Sequence, residues 1–171
     1  MIQDTDIVYK LIVLYMLSRV DFPLTKTQLD EFILGQEYTN FLNLQQILSI
    51  LTDADLITAK TIRNRTYLSI TAEGQDTLTF FSNRLNEGLK KDIDDYLWNH
   101  KLELRNENSV LSDYYKSTAG GYEVHLSAQE KGITLVDLKL SVPLEELAVS
   151  ICDHWMKKNQ EVYQYLTTTL F

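Results

Sequence analysis

The 171-residue sequence contains few of the residues that form covalent or metal-held frameworks: one cysteine, three histidines, two prolines and six glycines. The lone Cys152 cannot form an internal disulfide, and within a helical pattern it is better interpreted as a small core residue than as a reactive thiol. His100, His125 and His154 lie far apart, and no cluster has metal-ligand spacing. We therefore expect neither a disulfide framework nor a metal site.

Motifs of catalysis are also missing from the sequence. No glycine-rich phosphate loop or nucleophile elbow is found, and Gly120-Gly121 lies between two strand-like segments, where a turn is the simpler interpretation. The acidic run Asp92, Asp94 and Asp95 is typical of a solvated helix face. We predict a protein that is not an enzyme and that uses no cofactor.

Positive charge is scarce, since 16 Lys and Arg face 24 Asp and Glu for a net charge of −8. Residues 1–80 and residues 81–171 each carry −4, so neither half is basic. Duplex binding depends on Lys and Arg near phosphates, so a DNA-binding surface here must concentrate its few cations on one side. The apolar run 7–17 contains Lys10 and is too short to span a bilayer, and no secretory signal is evident, so we expect a cytoplasmic protein without a membrane partner.

Two helices are predicted at the start of the chain. Residues 5–20 have helical periodicity, and Asp21-Phe22-Pro23 ends this helix because the residue before proline avoids helical geometry. Thr25 and Gln28 match a capping box for a second helix that runs to about residue 34, where Gly35 is expected to form a left-handed C-cap. One stripe of the first helix is expected to be buried: Ile7, Val8, Leu11, Leu14, Tyr15 and Ser18.

A third helix is predicted over residues 40–53, followed by a β-hairpin over residues 56–71. The hairpin consists of the strands 56–62 and 66–71, and Asn64 at its tip tolerates a left-handed backbone. Lys60, Arg63 and Arg65 place three cations at this tip. The apolar positions of the helix predict a buried face: Phe41, Leu44, Leu48 and Leu51. The opposite face is expected to carry amides: Asn40, Asn43, Gln46 and, at its margin, Gln45.

Residues 7–80 resemble winged helix-turn-helix transcriptional regulators of the MarR and PadR kind. The resemblance is based on the helix 44–48, the exit 51–57, and the segment Thr71-Ala72-Glu73-Gly74. This segment is similar to a Leu-Thr-x-x-Gly pattern after the wing, with Ile70 where Leu is usual. The chain as a whole resembles an uncharacterised bacterial family of domains of unknown function. The regulator resemblance implies DNA binding, with a dimer built by the helices that flank the wing.

A central helical region follows the hairpin. Thr71 is a suitable N-cap, and a stripe of apolar residues continues past residue 85 to His100. Asn86 with Glu87 is able to restart the helix after a break near residues 82–85, so one bent helix or two successive helices are both compatible with the sequence.

The C-terminal part changes to a strand pattern. Three alternating segments separated by Gly120-Gly121 and by the turn 129–132 predict a three-stranded antiparallel meander. Pro143 suits the first turn of a long final helix, which is expected to cover the sheet. Its predicted apolar stripe is Leu144, Leu147, Ile151, Trp155, Val162 and Leu166.

The predicted class is α+β: an N-terminal winged helix with three helices and a β-hairpin wing, a central helix or helix pair, and a C-terminal three-stranded antiparallel sheet covered by a long helix. We expect a winged-helix domain over 1–82, a connecting helix over 83–107 and a βββα domain over 108–171. The C-terminal domain is compatible with sensing a small molecule, with dimerisation or with shielding the core.

The first functional hypothesis is a transcriptional regulator that binds double-stranded DNA as a homodimer. Asn43 and Gln46 are the candidates for reading base edges, because amides pair with adenine. Helix 40–53 would enter the major groove, and the wing would contact the backbone or a minor groove. The full predicted contact set is Lys26, Tyr38, Thr39, Asn40, Asn43, Gln46, Lys60, Arg63, Asn64 and Arg65.

The second hypothesis is a non-enzymatic interaction or scaffold module whose winged helix contacts another protein instead of DNA. The acidic balance favours it, as do C-terminal aromatic side chains that suit an interface. The candidates are Tyr114, Tyr115, Tyr122, Trp155 and Tyr163. A stoichiometric protein partner recovered without DNA would distinguish it from the first hypothesis.

Overall fold

The computed structural model describes residues 2–62 and 64–171, with side chains described from Asp6 onward. The chain consists of two compact units, Met1–Leu104 and Arg105–Phe171. The helices and strands in chain order are α1 Ile2–Ser18, β1 Leu24–Thr25, α2 Lys26–Gly35, α3 Phe41–Asp53, β2 Ile57–Ile62, β3 Arg65–Ile70, α4 Ala72–Phe81, α5 Glu87–Ser109, β4 Val110–Lys116, β5 Tyr122–Glu130, β6 Ile133–Val142 and α6 Glu145–Leu170.

The predicted α+β class is confirmed: three helices and a hairpin come first, a broken central helix follows, and a three-stranded antiparallel sheet and a long helix end the chain. The expected domain limits at residues 82 and 107 stay a prediction, because a domain is a unit that folds independently and a structure alone does not test independent folding.

Helix α1 is more deeply buried than one amphipathic stripe would allow. Besides the expected Leu11 and Leu14, its Ile12, Val13 and Met16 are at most 2 % exposed. The reason is that α1 contacts α3, α4 and β3, so it is covered on several sides. The single-stripe prediction was therefore too narrow.

Helix α2 begins as predicted and ends differently. Thr25 Oγ1 accepts the Gln28 N–H at 3.1 Å and the Thr25 N–H donates to Gln28 Oε1 at 3.0 Å, which confirms the capping box. The prediction of a left-handed Gly35 was wrong, because α2 includes Gly35 and the positive φ of 55° is at Glu37. The reversal is closed by the Tyr38 N–H, which donates to the Ile33 carbonyl at 3.3 Å.

The first sheet has the order β1-β3-β2, and β1 was not foreseen because it has only two residues. Leu24 pairs with Leu68 and Thr25 pairs with Tyr67, so the hairpin is attached to the segment between α1 and α2. Asn64 has a φ of 61°, as the tight hairpin required. Leu68 and Ile70 both pack against the core of the first unit.

The central helical region is two helices rather than one bent helix. Helix α4 begins at its cap Thr71, whose Oγ1 accepts the Gly74 N–H at 3.0 Å. A 3-10 turn over Ser82–Arg84 interrupts the helical path. Helix α5 then restarts where expected, because Asn86 Oδ1 accepts the Leu89 N–H at 2.7 Å.

The second unit is a β4-β5-β6 meander packed against α6. Trp155 is 3 % exposed, and its Nε1 donates to the Ser127 carbonyl at 3.2 Å. Pro143 precedes the cap residue Leu144 rather than lying in the first helical turn, so that prediction was wrong.

The predicted stripe of α6 is correct in its middle and wrong at its start. Ile151 and Val162 pack against the sheet core together with Trp155. Leu144 and Leu147 are 58 % and 45 % exposed, and Ala148 is the buried residue of the first turns. Ala148 packs into the core between α6 and the sheet, where its small side chain allows the helix to lie close to the strands.

Candidate nucleic-acid interface

The amides at the start of α3 hold local structure. Asn40 is the N-cap, and its Oδ1 accepts the Asn43 N–H at 2.9 Å. The Asn43 side chain is half-buried and donates from Nδ2 to Thr39 Oγ1 at 2.8 Å. This bond uses one of the two Nδ2 hydrogens and fixes the orientation of the Asn43 amide, so the amide is held by Thr39 rather than free to turn toward a base. Asn40, in contrast, is exposed at the start of the helix.

The open face of α3 differs from the predicted amide ridge. Gln45 is half-buried, and its Nε2 lies 3.4 Å from both carboxylate oxygens of Asp30 on α2. Gln46 is exposed, and it shares this face with Leu42 and Ile50, which are 79 % and 40 % exposed. The open face is thus apolar as well as polar.

The buried face of α3 includes one residue that was missed and lacks one that was expected. Ile47 is 2 % exposed and joins Leu44, Leu48 and Leu51 in the core, whereas Phe41 is 54 % exposed. Phe41 is the first residue of α3, and its side chain lies outside the buried face that the later residues of the helix form. The spacing of 44, 47, 48 and 51 is the signal in the sequence that would have included Ile47.

The cations of the hairpin lie on one of its two faces. Lys60 pairs with Tyr67 and Ile62 pairs with Arg65 across the strands. Because side chains alternate between faces, Lys60 and Arg65 are diagonal neighbours on the same face. Lys60 is exposed and Arg65 is half-buried. Arg63, the third predicted cation, lies outside the described residues.

The base of the hairpin is fixed to the end of α3. The Leu56 N–H donates to the Leu51 carbonyl at 3.0 Å, and the Thr71 N–H donates to the Leu56 carbonyl at 3.1 Å. Asp55 has a φ of 57°, and its carbonyl accepts the Thr71 hydroxyl at 2.7 Å. These hydrogen bonds join the end of α3 to the base of the hairpin. The exposed side chains of Asp53 and Asp55 lie at this junction.

Tyr38 is placed unfavourably for a phosphate contact. Its hydroxyl is buried, and among the described residues it has no hydrogen-bond partner. Its ring packs edge-on against Phe32 with centroids 6.0 Å apart. Burial first, and the Asp92 charge second, raise the pKa of Tyr38 above its ordinary value. Tyr38 is therefore a core contact of the loop in this conformation.

Lys26 begins α2 and is half-buried. Its charge partly offsets the effect of burial on Asp30, whose pKa is nevertheless raised above the ordinary value for a carboxyl group. Lys26 thus already interacts with a carboxylate, which reduces the positive charge that it offers to a phosphate.

The aromatic residues proposed for a protein interface are mostly not free surface. Trp155 is buried in the second unit, and Tyr114, Tyr122 and Tyr163 are half-buried. Tyr115 is 47 % exposed, and its hydroxyl donates to the Glu123 carboxylate. In the part of the chain that the structure describes, no group of His, Cys, Asp and Glu has an arrangement that would hold a metal ion. None of the helices described is long and apolar enough to cross a membrane.

Comparisons with known proteins place the chain in one family. Neither the curated proteins nor the solved structures contain a match to it. One family model, described as a domain of unknown function (DUF4364), matches residues 9–170 and so covers both compact units. The chain belongs to this DUF4364 family.

Proposed function

We propose that the first unit is a winged-helix module that binds double-stranded DNA and that the protein is a transcriptional regulator. The observation that carries the proposal is the order α1-β1-α2-α3-β2-β3 together with the sheet order β1-β3-β2. This order attaches the hairpin to the α2–α3 pair, as in winged-helix regulators. A helix of this kind reads the major groove, and a neighbouring element holds the DNA backbone.

Base reading is assigned to the open face of α3. Gln46 is the exposed amide on this face, and its carbonyl and NH₂ groups match the hydrogen-bonding edge of adenine. Leu42 lies one turn earlier and is able to contact a thymine methyl group. The Asn43 amide is half-buried and its orientation is fixed by the bond to Thr39, so the exposed Gln46 is the principal candidate.

Backbone binding is assigned to the hairpin. Lys60 and Arg65 share one face, and Arg63 and Asn64 belong to the same tip by sequence. Thr39 and Asn40 at the start of α3 add polar groups that suit a phosphate. Because the net charge is −8, few cations contribute, and the salt dependence of binding is shallow.

The proposed regulator acts as a homodimer. The resemblance to MarR and PadR regulators implies dimerisation through the helices that flank the wing. Helix α5 is one of these, and its Trp98 and Leu102 are 81 % and 77 % exposed one turn apart. Two large apolar side chains next to each other on a helix form a suitable centre for such a contact.

The experiment measures duplex binding by the Lys60→Ala/Arg65→Ala double variant at two salt concentrations. Each lost phosphate contact lowers affinity roughly five- to tenfold near 0.1 M salt and makes the slope of log K against log salt shallower by about 0.9. Lys101→Ala is the matched control, since Lys101 is an exposed cation of the same unit on α5.

The proposal requires that the double variant loses affinity for all duplexes alike, while Lys101→Ala binds like the wild type. A Gln46→Ala variant should instead weaken binding mainly to the preferred sequence. Equal affinities for wild type and double variant, with equal circular dichroism spectra, would remove the hairpin from the mechanism.

A second candidate function is binding to a protein through α3. Its support is the open face of this helix, where Leu42 and Ile50 are exposed and Asp53 contributes a negative charge instead of a cation. A Leu42→Ser/Ile50→Ser variant distinguishes the two functions. Loss of a co-purifying protein partner with no change in duplex affinity would favour the protein-binding function.

A further inference from the structure

The second unit has one long open sheet edge at β6. This strand has 10 residues and is the last of the order β4-β5-β6, and its register against β5 shifts by one residue near Leu135. Beyond this point, over residues 136–142, alternate N–H and C=O groups point away from β5. Its face toward α6 consists of Val136, Leu138, Leu140 and Val142, with no charged side chain. Inward charges are a usual protection against edge pairing, and β6 lacks them along this stretch.

The opposite edge of the sheet is different. On β4 the Tyr114 N–H donates to the Asp113 carboxylate at 2.8 Å, so a side chain already occupies a backbone donor. Strand β4 also continues directly from α5, whose last residue Ser109 is followed by Val110 without a turn. Pairing with another strand is therefore much easier at β6 than at β4.

We propose that β6 pairs with β6 of a second copy of the chain, antiparallel and centred on Leu138. In this register Leu138 faces the partner's Leu138, and Val136 faces the partner's Leu140 on the helix side. On the other face Asp137 lies opposite the partner's Lys139, and the symmetry repeats this pair. The strand is thus complementary to itself in both hydrophobicity and charge.

Neighbouring registers with the same symmetry lack this complementarity. A centre at Asp137 places two aspartates opposite each other, and a centre at Lys139 places two lysines opposite each other. Within the chain, Asp137 already lies 2.5 Å from His125 Nε2, and Lys139 Nζ lies 3.8 Å from Glu123. On this face Asp137 thus lies beside a histidine and Lys139 beside a glutamate, and the proposed pairing adds the partner's Lys139 and Asp137, respectively, as neighbours of opposite charge.

An apolar groove on the helix side of β6 supports a second copy as the occupant. The groove has a volume of about 320 Å³ between the sheet and α6, with Leu138 and Leu140 on its floor and Ile151 and Trp155 on its wall. Leu140 is 40 % exposed. Adding the partner's Val136, Leu138 and Leu140 next to this floor extends the apolar surface that each α6 covers, which adds hydrophobic stabilisation to the hydrogen bonds of the edge.

The inference adds a β6 contact to the α5 contact proposed above for the regulator, and it stands independently of DNA binding because association is measured without DNA. The experiment compares the full-length wild type with Asp137→Lys and Lys139→Asp by sedimentation velocity over a range of concentrations. Each variant places like charges opposite each other twice per dimer, so the dissociation constant should rise by at least about tenfold. Lys116→Asp is the matched control, since it makes the same charge change at the end of β4.

Mixing the two charge variants tests the pairing without changing either fold. The Asp137→Lys chain carries two cations on this face, and the Lys139→Asp chain carries two anions. The mixture should therefore form heterodimers, although each variant alone self-associates more weakly than the wild type. A monomeric wild type, variants that associate as strongly as the wild type, or a mixture that associates no better than its components would overturn the proposal. If Trp98→Ser removes association while both charge variants keep it, association depends on the α5 contact alone and the β6 pairing is overturned.

Discussion

Gly74 offers a sharp test of how α4 is packed against the hairpin. A Cβ built on Gly74 would lie 2.0 Å from the Leu56 carbonyl oxygen and 2.9 Å from Ile70 Cγ1. Ordinary contacts need roughly 3.4 Å or more, so Gly74→Ala forces the backbone of α4 away from Leu56 by more than about 1 Å. Overpacking of this kind lowers stability by about 1–3 kcal/mol. The hydrogen bond from the Thr71 N–H to the same Leu56 carbonyl is also strained, which adds about 1 kcal/mol.

We therefore expect Gly74→Ala to lower the free energy of unfolding by about 3 kcal/mol in urea denaturation followed by circular dichroism. Gly35→Ala is the matched control, because a Cβ there meets nothing within 4 Å and the residue is helical. It should raise stability by up to about 1 kcal/mol. A loss below 1 kcal/mol for Gly74→Ala, or a loss for Gly35→Ala, would refute the packing argument.

Two further predictions concern single side chains in the two units. Trp155→Phe removes the buried donor to the Ser127 carbonyl and should lower the free energy of unfolding by about 1–3 kcal/mol, read from urea denaturation; an unchanged midpoint would contradict the role of this bond. For Asp30, burial raises the folded pKa, so its contribution to stability is present below the unfolded pKa and lost as pH rises through the folded value. Asp30→Asn, which keeps an acceptor for Gln45, should therefore flatten the pH dependence of stability in this acidic window, and an unchanged pH profile would contradict the assignment.

Patterns of local chemistry predicted the first unit well. The capping box at Thr25, the cap at Thr71, the restart at Asn86 and the left-handed Asn64 each depend on neighbouring residues only, and each is confirmed. Such features are encoded within a few positions of the chain, so a single sequence contains the information needed to find them.

Features that depend on distant parts of the chain were not predicted. Strand β1 exists because Leu24 and Thr25 pair with β3, more than forty residues later, and two residues give no periodic signal. Helix α1 is buried on several sides only because three other elements pack around it. The exposed Leu42 and the Asn43–Thr39 bond changed the candidate site for a different reason. Both are local, but a helical wheel shows the direction of a side chain and shows neither its exposure nor its hydrogen-bond partners.

The most direct test of the central claim is the affinity of the wild type for duplex DNA as a function of salt, measured by fluorescence anisotropy with a fragment selected from genomic DNA. Three hairpin cations per chain, and so six per bound homodimer, predict a linear plot of log K against log salt with a slope of roughly −5, and a slope closer to −2 for Lys60→Ala/Arg65→Ala. No detectable binding at low salt, or a slope that is identical in the wild type and the variant, would contradict the assignment of this module to DNA.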